Sequence, residues 1–161
     1  MARAIIFDLN DKDLTIDFGT YALIMYYAKQ LNQSKAMKLF DATSTEYRFR
    51  IRYKLPTAGL TDDDYDAHFI SSEIMESFMF IDNELIPNLN SETEDLLKKY
   101  GGKSGFLAKY YNSPGFLSAL GLEEDEFYND SPQDIIHYLM LLKEFMQYAI
   151  GENKAYQVYV H

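Results

Sequence analysis

The chain reads as an α+β domain, a small and mainly antiparallel sheet packed with several helices. Three observations predict this. Segments of strand character stand near both ends, at Ala4-Ile5-Ile6-Phe7-Asp8-Leu9 and from Tyr156 to Val160. A third segment, Tyr47 to Lys54, alternates strictly: Tyr47, Phe49, Ile51 and Tyr53 fall on one face, Arg48, Arg50, Arg52 and Lys54 on the other. Most of the remainder repeats apolar residues at helical spacing behind recognisable cap residues. At 161 residues the chain fits one domain, 1–161, long enough for a sizeable core. It has no internal repeat or low-complexity tract, and Pro56 to Leu60 is the nearest thing to a boundary.

In order, Ala4–Leu9 predicts a first strand, and Asn10-Asp11-Lys12-Asp13 has turn composition, because Asn and Asp bond their own backbone and tolerate left-handed conformations. Leu14 to Phe18 completes a hairpin. Thr20 is placed to cap a helix from Tyr21 to about Leu31. Leu23, Ile24, Met25, Tyr26 and Tyr27 make that helix apolar nearly all round, which predicts burial on more than one side. Ser34 caps a continuation through Phe40, and the cationic strand at 46–55 ends at Pro56 and Gly59. Thr61 and Asp64 form a capping box ahead of Tyr65, Phe69, Ile70, Ile74, Met75 and Phe78. Pro87 interrupts, Ser91 and Glu94 make a second box, and Gly101-Gly102 is the stop. Short helices are expected at about Gly105–Tyr111 and Pro114–Leu120. Ser131-Pro132 with Asp134 opens the longest helix, running to Gly151, and the last strand returns to the sheet.

Charge is distributed unevenly over a formal net of −10. Residues 1–55 carry nine Lys/Arg against six Asp/Glu, a net of +3; residues 56–161 carry six against nineteen, a net of −13. The chain thus has a basic-leaning N-terminal part and an acidic helical part. Acids gather in two bursts, Asp62-Asp63-Asp64 with Asp66, and Glu123-Glu124-Asp125-Glu126 with Asp130. One reading makes them helix N-terminal acids and solubilising loops. The other makes them an array of phosphate-like charge aimed at a basic cleft in another protein. The cationic strand face likewise reads either as covered by the chain's own acids, or as an edge guarded by charge, or as a surface for nucleic-acid phosphates. A net of −10 opposes nucleic acid from every other direction, so direct nucleic-acid binding is not expected.

Chemistry leaves little mark on the sequence. The absence of cysteine excludes disulfides, thiolate metal sites and a cysteine nucleophile, and fits a reducing cytoplasm. No signal peptide is visible, and no apolar run approaches the ~18 residues of a membrane span. Asp62, Asp64, Asp66 and Glu73 occupy ligand positions of a calcium loop, but Ala67 stands where that loop needs Gly. His68, His137 and His161 lack ligand spacing, and His137 is expected to be partly buried. Phosphate-binding Gly loops and the G-x-S-x-G elbow are missing. The expectation is a non-enzymatic protein without metal or cofactor. Its 14 Tyr and 11 Phe offer large contact area at small entropic loss, the composition of many recognition surfaces.

Glu124-Asp125-Glu126-Phe127-Tyr128-Asn129-Asp130 resembles the acidic, Phe-Tyr-containing segment of small acidic phage anti-CRISPR proteins that inhibit Cas9. The resemblance covers seven of the 161 residues. It implies an inhibitor that evades host defence as a DNA mimic, its acids occupying the Arg/Lys-rich site where Cas9 reads its protospacer-adjacent motif. Glu124, Asp125, Glu126 and Asp130 would then be contact residues. With Glu123, Tyr128, Asp62, Asp63, Asp64 and Asp66 they form the candidate partner-binding set. Two alternatives stay open: an immunity protein neutralising a basic toxin nuclease, and a nucleic-acid-binding protein using Arg48, Arg50, Arg52 and Lys54.

Overall fold

A two-residue turn at Asn10 and Asp11 joins strand β1 (Ala4–Leu9) to β2 (Lys12–Asp17), with Asn10 in the left-handed region at φ 58°. The turn is two residues shorter than its composition predicts, because Lys12 and Asp13 already pair with Leu9 and Asp8. The computed structural model of the chain describes residues 3–43, 71–112, 121–128 and 130–160. The expected strand at 46–55, with Arg48, Arg50, Arg52 and Lys54, lies outside the described residues. So do Asp62, Asp63, Asp64, Asp66 and the expected helix at Pro114–Leu120.

The last strand, β3 (Gln157–Val160), pairs antiparallel with the free edge of β1, so the sheet order is β2-β1-β3. Pairing and pleat together fix the inner face. Ile5 lies between Ile16 and Val160, and Phe7 between Leu14 and Val158; Ile5, Phe7 and Ile16 are fully buried, while Asp13 and Thr15 point outward. The architecture is the α+β arrangement the patterning predicts.

Helix α1 (Phe18–Leu31) leaves β2 without a linker, and the Phe18 N–H bonds the Arg3 carbonyl at 2.9 Å. Every residue from Phe18 to Ala28 is buried, as its all-round apolar sequence requires. The helix begins earlier than Thr20, whose hydroxyl sits inside the first turn and is used elsewhere. Helix α2 (Gln33–Thr43) is capped by Asn32, whose side-chain oxygen accepts from the Lys35 N–H at 3.0 Å, and not by Ser34. At its end the Thr43 hydroxyl bonds the Tyr21 hydroxyl at 2.7 Å, and Tyr156 donates to the Ala42 carbonyl at 2.6 Å. Burial raises both phenols well above their usual range.

Helix α3 (Ser71–Phe80) passes through a π-helical segment (Ile81–Leu85) into α4 (Ile86–Asn90). Pro87 therefore stands inside a continuous helical run instead of interrupting it. The widened turn, with the Ile86 N–H reaching back to the Ile81 carbonyl, makes room upstream of a residue that has no N–H to donate. Ser91 is on the far side of that helix, its hydroxyl directed back to the Pro87 carbonyl, so the box with Glu94 does not form; Asp95 precedes the short α5 (Leu96–Lys99) without a side-chain cap. Helix α6 (Gly102–Tyr111) follows Gly101, whose φ of 95° only glycine adopts readily.

The longest helix, α7 (Pro132–Glu152), opens with the predicted box: Ser131 Oγ accepts from the Asp134 N–H at 3.1 Å, and the Asp134 carboxylate accepts from the Ser131 N–H at 2.9 Å. Its Leu139, Leu142, Phe145 and Met146 pack into the core, with Phe145 5.9 Å from Phe7 and 5.2 Å from Tyr156 between ring centres. His137 is exposed, contrary to expectation, because two residues past buried Ile135 is about 200° around a helix. Among the described residues, no helix is long and apolar enough to cross a membrane.

Candidate acidic interaction site

The second acidic burst lies on the segment between α6 and α7, which is pinned to the body of the protein from several directions. The Tyr111 hydroxyl accepts from the Leu122 N–H at 2.9 Å and donates to the Leu122 carbonyl. A single 3₁₀ turn (Glu124–Glu126) follows. Phe127 inserts its ring edge-on against Phe106, 5.3 Å between centres, and is buried.

Arg3 is the principal anchor. Its Nε and one terminal nitrogen both donate to the Glu126 carboxylate, the second at 2.7 Å, and the same terminal nitrogen reaches the Gly121 carbonyl. Its guanidinium also lies 4.3 Å from the centre of the Phe18 ring. Glu126 is only 2% exposed, and its carboxylate additionally accepts from the Glu123 N–H at 3.1 Å. A buried carboxylate needs this degree of pairing. Helix α1 approaches the turn so closely that a Cβ on Gly19 would lie 1.9 Å from the Glu126 carbonyl oxygen. At the far end, the buried Thr20 hydroxyl donates to the Asp130 carboxylate. Asp130 is half-buried. Desolvation pushes its carboxyl above the ordinary value, Thr20's donation opposes this, and the carboxylates of Asp134, Asp17 and Asp95 add to it.

The expected contact residues therefore divide into two groups. Glu123, Glu124 and Asp125 are exposed along the turn, and Tyr128 stands 48% exposed just beyond it. Glu124 accepts from the Ser104 hydroxyl at 2.9 Å while remaining at the surface. Glu126 does not belong with them: it faces inward and holds the loop. Asp130 is also engaged internally. Asp62, Asp63, Asp64 and Asp66 lie outside the described residues.

Of the two residues that hold the loop, Arg3 carries no functional signal in the sequence. Gly19 has a weak one, since a glycine at a strand-to-helix junction marks close backbone approach. What this segment presents is a set of exposed carboxylates and one exposed phenol on a backbone held by Arg3. Among the described residues there is no group of three or more His, Cys, Asp or Glu set to hold a metal ion. Comparison with protein-family models, with curated proteins and with solved structures returns no match.

Proposed function

We propose that the chain is a non-enzymatic acidic inhibitor that blocks a basic, nucleic-acid-handling protein by presenting phosphate-like charge. The partner class is a Cas9-like nuclease, in the manner of phage anti-CRISPR proteins, or a toxin nuclease. The observation that carries this reading is the fixing of Glu123, Glu124 and Asp125 on a turn whose neighbour Glu126 is locked to Arg3. A loop ordered before binding loses less entropy on association. Tyr128 beside them supplies apolar area and a ring face for an arginine.

The test is a triple reversal, Glu123→Lys with Glu124→Lys and Asp125→Lys, leaving Glu126 in place. The expected result is an unchanged fold by circular dichroism and loss of binding to, and inhibition of, a purified Cas9-type nuclease. Undiminished binding by the triple variant removes the loop from the interface. Binding by neither protein to the Cas9-type enzyme, with capture of a toxin nuclease instead, moves the partner to the second class.

A further inference from the structure

A cavity of about 290 Å³ opens between α2 and the junction of α3 with the π segment, just below the roughly 300–1,000 Å³ of ordinary small-ligand sites. Its floor is apolar: Phe80 is buried, and Met79 remains 51% exposed above it. Its walls carry charge of both signs. Lys35 of α2 pairs across the opening with Glu84, and Lys38, one turn on, pairs with Glu76 at 2.8 Å. Asn83 and Glu84 of the π segment line this space; such segments are rare and frequently accompany functional sites. Among the described residues, none hydrogen-bonds the Asn83 side-chain amide.

We propose that this cavity binds a free α-amino acid with an aliphatic side chain. The lining is electrically balanced, two lysines against two glutamates, which decides the ligand's charge. A simple carboxylic acid that took Lys35 and Lys38 would leave Glu76 and Glu84 without partners; a simple amine would do the reverse. A zwitterion replaces both halves at once. Its carboxylate settles between the two lysines, which share a helix face at i, i+3, and its ammonium between the two glutamates. The side chain covers Phe80 and Met79, and the Asn83 amide, both donor and acceptor, serves the polar end. Opening the existing pairs is easy, because Lys35, Lys38 and Glu76 are more than half exposed, Glu84 is partly exposed, and pairs at the surface are weak.

The test is an NMR titration of the full chain with three probes: L-leucine, 4-methylpentanoate (leucine without its amine) and isopentylamine (leucine without its carboxylate). L-Leucine at millimolar concentration is expected to give saturable shifts at the Met79 methyl and the Asn83 side-chain amide. Each half-charged analogue is expected to bind at least tenfold more weakly. Lys38→Gln and Glu76→Gln, both surface changes, are each expected to weaken leucine at least tenfold while leaving the melting temperature unchanged. Absence of saturable shifts with leucine overturns the proposal, as does an equal response to either analogue or unaltered leucine binding by both variants.

Discussion

Glu126 is the residue on which the acidic loop turns, and within the run Glu123 to Glu126 it is the acid that faces inward. Breaking a buried ion pair from one side leaves an uncompensated charge, so Arg3→Met is expected to lower stability by about 3 kcal/mol or more in urea unfolding. Adding Glu126→Gln to it should recover part of that loss, since the stranded charge is gone. Gly19→Ala meets backbone, not a movable side chain, and is expected to lose about 1–3 kcal/mol as the turn is pushed off α1. Asp130 gives a pH test with a defined sign. Its folded-state pKa is raised above the ordinary 3.8, so the folded protein holds that proton more tightly than the unfolded chain. Stability from this group is therefore fully present below 3.8 and falls as pH rises through the folded value. Asp130→Asn keeps an acceptor for Thr20 and cannot ionise. Its urea midpoint should match the native protein's below pH 3.8 and exceed it at neutrality; a constant difference across that range would contradict the assignment. The composition of the burst was legible in the sequence, but its division was not. Glu123 and Glu126 look alike in a string, and only the distant Arg3 and Thr20 decide which acids turn in.

At the level of elements, what was legible is what neighbours in sequence determine. The long C-terminal helix and its Ser131–Asp134 box depend on residues within three or four positions of one another, and they form as the pattern predicts; the hairpin forms too, zipping from the Leu9–Lys12 pair out to Ala4–Asp17 around a turn shorter than its composition suggests. Ser131→Ala should accordingly cost about 1 kcal/mol, measured as a lowered urea midpoint with an unchanged slope. The Ser91–Glu94 box has the same spacing and fails, because the widened turn at Ile81–Leu85 lets the helix run through Pro87 and brings Ser91 to its C-terminal end. Thr20 fails as a cap for a related reason. The strand passes into the helix at Asp17, and a residue more than a hundred positions away takes its hydroxyl. A cap motif is reliable only where nothing distant competes for its side chain.

Across the whole molecule the fold closes by long-range pairing, since β3 from the C-terminus completes the sheet beside β1 and Arg3 from the N-terminus fastens the loop near residue 126. The acidic surface is thereby presented by a body whose net charge is −10, and the two effects operate over different distances. The net charge acts at long range and is screened within about 8 Å at physiological salt. In the proposed complex the loop carboxylates would act at contact, where water is excluded and salt penetrates little. If the proposed inhibitor meets a basic partner through this loop, ionic strength should divide the two. Raising salt from about 0.05 M to about 0.5 M is expected to slow association by more than tenfold, because steering is lost. Dissociation should change far less, because the contact is already formed. The triple reversal at Glu123, Glu124 and Asp125 should do the opposite of simple screening and accelerate dissociation at every salt concentration. Stopped-flow measurement of both rates for both proteins separates these outcomes. An association rate indifferent to salt would show that the charge of the chain plays no part in finding its partner, and the mimicry reading would fall with it.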